Sequence, residues 1–286
     1  LRFRRGGLPP AGLAGKGRAM DGAHTLLPIA NDMADAARTA ALPHFRSAAS
    51  VAENKAEDGY DPVTEADRAA ERAMRQILDA RRPDDAIEGE EYGSKPGTSG
   101  FTWYLDPIDG TRAFVAGLPS WTTLIGVTQD ERPILGVIDQ PWLDERYVGL
   151  TDKDWSAWLI GRGTKTQLIT RRLQHLTEAI LSTTDPFILT PPERGAFEHI
   201  RATAKITRYG LDAYAYARLA AGTIDMVIES GLKSHDVAAL IPVIHGAGGL
   251  VTDWRGEPAK LGGQIVAASC RRILDEALIS LRRSAE

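Results

Sequence analysis

Cysteine is almost missing from this chain: Cys270 is the only one, so no internal disulfide can form and no cysteine-based zinc cluster can be built. That scarcity suits a reducing compartment and predicts a cytoplasmic protein. Long apolar runs are missing too, and no stretch reaches the roughly 20 apolar residues a membrane helix needs. Nor is there a surplus of positive charge. The net charge is −4, and no basic run interleaves with aromatics in the body of the chain, which removes the electrostatic case for nucleic acid or a membrane surface. A small-molecule partner is what remains. Internal repeats and low-complexity segments are absent as well.

What is present is enough for a large core. A chain of 286 residues lies near the upper end of what one hydrophobic core supports. Residues 1–19 are basic, rich in Gly and Pro and free of acids; they read as a disordered extension upstream of a start at Met20. Residues 20–286 are then expected to form a single domain, with a mainly antiparallel half to about residue 175 and an α/β half after it. Apolar spacing predicts a helix over 24–45, ending near Pro43, and a second from a Thr64 cap to about 82. A short strand is expected at 86–91, a hairpin at 121–138 turning through Asp130-Glu131-Arg132-Pro133, and strands at 146–149 and 155–160. Strands at 179–183, 205–208 and 224–228 then alternate with helices at 193–201 and 213–221. A helix from Asp236 is expected to kink at Pro242. Strands at 250–252 and 265–268 and a helix at 271–282 complete a layered α/β pattern.

The chemistry gathers at Trp103-Tyr104-Leu105-Asp106-Pro107-Ile108-Asp109-Gly110-Thr111. A short strand ends in two carboxylates, and Gly110 allows the turn into a helix opening near Thr111. Neighbouring carboxylates repel unless a proton or a hard cation sits between them, and free N–H groups at a helix start accept phosphate. An Asx turn, with both acids capping local N–H groups, answers to the same residues. Asp67, three residues after Thr64, either completes a capping box or orients a water at a nearby site. Glu90, in the acid-rich Glu88-Gly89-Glu90-Glu91, is a further metal-seeking carboxylate. Asp236 is either an N-cap or another ligand at a helix start, and Asp212 likewise either an N-cap or a substrate contact.

Four separated pieces now fit one family. Asp61 to Asp67, Gly89-Glu90-Glu91, Trp103 to Phe114, and Asp236-Val237-Ala238-Ala239 through Gly248-Gly249 resemble the inositol monophosphatase family of metal-dependent phosphatases. The resemblance implies an αβαβα sandwich, a homodimer and magnesium, with two or three ions bound. It makes Glu90, Asp106, Asp109, Asp236 and the carbonyl of Ile108 the metal ligands. Thr111 and Asp67 would position the attacking water, with Glu90 beside them in catalysis, and the N–H groups of Gly110 and Thr111 would hold phosphate oxygens. Asp236 would also touch the substrate, as would Glu229, seven residues before it. His235 and His245 depart from the family pattern: His235 is expected to pack, and His245 to sit as a cation in a helix's last turn. Ser182 to Phe187, Asp139-Gln140-Pro141 with Glu145-Arg146, and Tyr209 to Tyr216 resemble the histidinol-phosphate phosphatase branch, although Leu211 replaces a Gly usual before Asp212. The implied reaction is hydrolysis of L-histidinol phosphate, a small phosphorylated metabolite. An inositol-1-phosphate phosphatase, a nucleotide or sugar phosphate phosphatase, and a non-catalytic scaffold of the same fold are the alternatives.

Overall fold

The computed structural model describes residues 22–47, 53–54, 62–151 and 154–285. The basic extension at 1–19 and the Asp61 end of the Asp61 to Asp67 motif lie outside the described residues.

Two main sheets and three helical layers make up the body of the fold, beside a two-stranded pairing of Glu53–Asn54 with Pro62–Val63. The large sheet has eight strands in the spatial order Thr164–Gln167, Trp155–Gly161, Glu145–Thr151, Arg132–Gln140, Thr122–Gln129, Phe101–Asp109, Ala86–Gly89 and Gly93–Lys95. It is antiparallel except where Ala86–Gly89 runs parallel to Phe101–Asp109. The small sheet has the order Ile206–Tyr209, Ile180–Thr183, Met226–Leu232, Gly263–Ala268 and Leu250–Thr252. Helices α1 (Ala23–Ala41) and α2 (Glu65–Arg81) cover one face of the large sheet, burying Trp103, Leu105, Ile125, Val127, Val137 and Val148. Helix α3 (Thr111–Val115) is one short turn, and α4 (Pro191–Thr203) lies with α8 (Arg271–Leu281) on the outer face of the small sheet. Between the sheets lie α5 (Ala213–Ala220), α6 (Ser234–Val237) and α7 (Leu240–Gly246). The layering is αβαβα, as the resemblance implies.

The sheet alternation explains which side chains meet. Odd positions on Thr122–Gln129 face α1 and α2, while Leu124 and Gly126 face the middle layer. Gly126, Gly136 and Gly149 are cross-strand neighbours, so they form a row of bare backbone on that inner face. A Cβ on Gly136 would stand 2.0 Å from the Ala239 carbonyl oxygen, and one on Gly149 2.3 Å from Pro242 backbone. The chain from α6 to α7 thus rests directly on the sheet, which sequence periodicity did not disclose. Pro242 breaks the helix rather than bending it: α6 ends at Val237, α7 starts at Leu240, and the missing Pro N–H would have bonded to Ala238.

Other differences are local. The hairpin turns at Asp130 and Glu131 alone, both with positive φ, and Pro133 falls inside the returning strand beside a register shift. The strand at Thr164–Gln167 was not anticipated, and the 224–228 strand instead runs Met226–Leu232. Gly195 lies inside α4 with nothing within 4 Å of where a Cβ would sit, and its φ is not in the left-handed region. Gly195→Ala should therefore raise stability by about 0.5–1 kcal/mol through helix propensity, read as a shift in denaturant midpoint at unchanged slope.

Candidate active site

Asp106 and Asp109 are three residues apart, and in a regular strand their side chains would leave opposite faces. They converge because the ladder slips: Asp106 pairs with Leu124, but Asp109 pairs with Thr122. Three steps on one strand face two on the other, a β-bulge, and Pro107 occupies it without wasting a ladder donor. The strand therefore runs as Phe101–Asp109, through the proline where the sequence predicted an end. Gly110 then adopts φ 81° and caps α3, and a Cβ there would meet Asp212 Oδ2 at 3.0 Å.

Asp236 arrives from the other direction, on α6 above the glycine row, its Oδ2 accepting the Lys233 N–H at 2.7 Å. One carboxylate oxygen from each of Asp106, Asp109 and Asp236 lies within 4.8 Å of the others. Asp109 Oδ2 also accepts the Ala213 N–H at 2.7 Å, at the start of α5. Asp106 Oδ1 is buried and has no hydrogen-bond partner. A buried carboxylate oxygen without a partner is expensive unless a cation or proton meets it. Burial and the charges of Glu90, Asp109, Asp236 and Asp67 hold Asp106 well above the usual carboxylate range. Burial and the charges of Asp212 and Asp236 do the same to Asp109, and burial raises Asp236 too. The donor set fits a hard divalent cation.

Glu90 lines the same cavity of about 310 Å³ but is outside that tightest group of three. Its backbone N–H donates to the Leu105 carbonyl at 3.0 Å, fixing the turn beside the Asp106 strand. The turn is held from behind by Glu71, which accepts Glu91 N–H at 2.7 Å and Arg75 Nε at 2.7 Å. Gly89 is needed here because a Cβ would collide with Glu71 Oε1. The sequence reading missed Glu71, though an acid on the apolar stripe of Ala66, Ala70, Met74 and Leu78 is a usable signal.

Asp67 meets the capping reading. Its Oδ2 accepts the Thr64 N–H at 2.7 Å and hydroxyl at 2.6 Å, completing the capping box. Its Oδ1 lies 3.5 Å from Thr111 Oγ1, which donates to the Ile108 carbonyl at 3.0 Å. Burial lifts Asp67 to about 6. It stands behind Thr111, whereas Ile108, Asp109, Gly110, Thr111, Asp212, Glu229 and Asp236 all line the cavity. The Ile108 side chain anchors the loop among Phe45, Phe114 and Trp121.

The same cavity is also lined by Asp212 and Glu229. Glu229 Oε1 accepts Thr184 N–H at 2.8 Å and hydroxyl at 2.6 Å, and burial lifts it to about 7. Burial lifts Asp212 to about 6 against the pull of the Arg112 charge. Asp212 occupies the cap position before α5 but makes no side-chain cap bond, and its φ of 48° with ψ of −140° is strained. The capping alternative for Asp212 is therefore not met. Thr184, which anchors Glu229, carried no sequence signal of that role.

Two histidines and one motif segment sit differently from expectation. His235 reaches Asp236, with Nε2 3.5 Å from Oδ1, rather than only packing. His245 stacks near Trp155, and burial lowers its pKa, so a cation is not favoured there. Asp139 receives Arg38 Nε at 2.6 Å and Arg146 Nε at 2.7 Å, tying α1 to the sheet away from the cavity. That segment is a structural clamp and not part of the substrate wall.

Residues 23–286 match the model of the inositol monophosphatase family. The chain is 42% identical over 234 residues to the chloroplastic bifunctional phosphatase IMPL2 of Arabidopsis thaliana, covering 80% of this chain and 64%, just under two thirds, of the plant protein. It is 31% identical over 238 residues to a histidinol-phosphatase of Chlorobaculum parvum, covering 83% and 89% of the two chains. The solved structure of an inositol monophosphatase from Zymomonas mobilis is 39% identical and superposes with a TM-score of 0.78 over 90% of this chain and 97% of that one. Fold, bulged carboxylate strand and these likenesses agree: the chain belongs to the inositol monophosphatase family.

Proposed function

We propose that the chain is a magnesium-dependent phosphomonoesterase that hydrolyses L-histidinol phosphate to L-histidinol and phosphate. The unpartnered Asp106 Oδ1 among Asp109, Asp236 and Glu90 carries the metal half of this reading. Those four carboxylates, with the Ile108 carbonyl, would hold two or three magnesium ions. Bound there, magnesium supplies charge neutralisation for a phosphoryl group and acidifies a water. The N–H groups of Gly110 and Thr111 would hold phosphate oxygens. Thr111 Oγ1, held between Ile108 O and Asp67 Oδ1, orients the attacking water, and Asp67 at about 6 can take its proton at neutral pH. The homodimeric state and the cytoplasmic compartment in this reading rest on the family resemblance and on cysteine scarcity. Among the described residues no helix is long and apolar enough to cross a membrane.

The substrate half rests on Asp212 and Glu229, acids that line the same cavity beside the metal carboxylates. Histidinol phosphate carries an ammonium and an imidazole on its leaving group, and inositol phosphate only neutral hydroxyls. The 31% likeness to a histidinol-phosphatase supports the same choice. A charge-assisted hydrogen bond is worth roughly 1.5–3 kcal/mol, so Asp212→Asn should lower kcat/KM for L-histidinol phosphate about 10- to 100-fold. Glycerol 2-phosphate should change only a few-fold. Preference of the wild type for inositol 1-phosphate, which the Zymomonas mobilis likeness also makes plausible, would replace this reading.

Thr111 separates water positioning from phosphate binding. Thr111→Ala should lower kcat on the order of 100-fold with KM within a few-fold, and Thr111→Ser should restore most of it. A change confined to KM would make Thr111 a phosphate contact only.

A further inference from the structure

A second cavity of about 620 Å³ adjoins the first and shares Arg112, Thr184, Asp185 and Asp212 with it. Its character is different. Leu118, Pro186, Phe187 and Tyr209 give it apolar walls, and Leu118, Phe187 and Tyr209 are 54%, 78% and 43% exposed. Exposed rings gathered at the mouth of a catalytic cavity mark a ligand surface more often than chance packing does. Asp185 Oδ1 accepts the Phe187 N–H at 2.9 Å, which turns the loop outward, and Tyr209 packs against the buried Phe197 with ring centroids 6.5 Å apart. The charge is also informative: the cavity's carboxylates are Asp185, Asp212 and Glu198, against the guanidinium groups of Arg112 and Arg201. Arg201 and Glu198 neutralise each other at 2.5 Å, and Asp185 makes no ion pair among the described residues.

We propose that this second cavity is the leaving-group chamber of the catalytic site, where Tyr209 and Phe187 hold a flat, cationic heteroaromatic ring while the phosphate lies among the carboxylates. The assignment rests on the histidinol phosphate reading and names the residues that make it selective. A cation over an aromatic face is stabilised, and an acid at the cavity's divide favours the same charge. One face of Phe187 already carries the Arg194 guanidinium at 5.9 Å, which leaves Tyr209 as the principal ring. Inositol phosphate has no group that uses this chamber.

The test compares L-histidinol phosphate with L-alaninol phosphate, which keeps the phosphate and ammonium but has a methyl where the imidazolylmethyl group was. The ratio of their kcat/KM values is read on wild type, Tyr209→Ala, Tyr209→Phe and the Tyr209→Ala/Phe187→Ala double variant. Tyr209→Ala should lower the ratio on the order of tenfold through KM, and Tyr209→Phe should keep it within about twofold. Equal losses on both esters, which general damage to the fold would give, overturn the chamber. So does a double variant with the wild-type ratio; in either case the histidinol phosphate reading still stands. A wild type that does not turn over L-histidinol phosphate is a separate signature, and it sinks the functional reading and the chamber together.

Discussion

Asp106→Asn should remove turnover, by at least about 1000-fold in kcat/KM, while leaving a folded protein. Asp106 is the most enclosed of the clustered acids and has an oxygen with no partner in the protein. An amide there keeps the shape but loses the charge that a divalent cation needs, and metal stabilisation of transition-state charge is worth several kcal/mol. The same change should stabilise the metal-free protein, because one of several buried like charges is gone. Each kcal/mol relieved moves the thermal midpoint by roughly 2–4 °C in a chain of this size or somewhat smaller. Near wild-type turnover in magnesium, or an unfolded variant, would overturn the metal assignment or its energetic basis respectively.

The pH dependence carries the same sign. Glu229 is lifted to about 7, and Asp67 and Asp212 to about 6, each above its unfolded value. Acids with raised folded pKa values contribute stability that is fully present below the unfolded pKa and is lost as pH rises through the folded one. Metal-free wild type should therefore gain thermal stability as pH falls from about 7.5 toward 5. Asp85, held down mainly by its Arg82 partner against burial, and the similarly depressed Asp144 oppose this only at still lower pH. Magnesium should flatten the slope, and a chelated sample that loses stability between 7.5 and 5 would contradict the buried-acid account.

The convergence of Asp106 and Asp109 was legible because the information is local. Asp106, Pro107, Asp109 and Gly110 specify a bulge and a left-handed cap within a few residues, and a short pattern can hold that much geometry. The helices and strands were legible because each shows its own period, while their stacking in five layers followed from the family resemblance. Features made by distant pieces were not. Thr184 anchors Glu229 from another strand end, and the aromatic chamber gathers Leu118, Phe187 and Tyr209 from loops far apart in the chain. Asp139 and Arg146 looked like part of a specificity motif but clamp α1, since an acid beside a strand looks the same whichever face it leaves.

The glycine row is the clearest case of a site made by distant contacts, and it gives the other large effect. Gly136 lies between Gly126 and Gly149 on neighbouring strands, facing the backbone that joins α6 to α7. A Cβ at Gly136 would stand 2.0 Å from the Ala239 carbonyl oxygen, a backbone atom that cannot swing aside. Gly136→Ala must then lift the α6–α7 junction by more than an ångström or bow the central strand. Overpacking of this kind costs about 1–3 kcal/mol. The functional loss should be larger than the stability loss, because Asp236 rides on α6 and converges with Asp106 and Asp109 only while α6 lies flat. A displacement near 1 Å in a reacting assembly lowers rates on the order of 100-fold. Gly136→Ala should thus fold, melt several degrees lower, and need much more magnesium for half-maximal activity. Magnesium titrations of wild type, Gly136→Ala and the open-site control Gly195→Ala measure this directly. An unchanged magnesium requirement in Gly136→Ala would show that the glycine row packs the middle layer without placing Asp236.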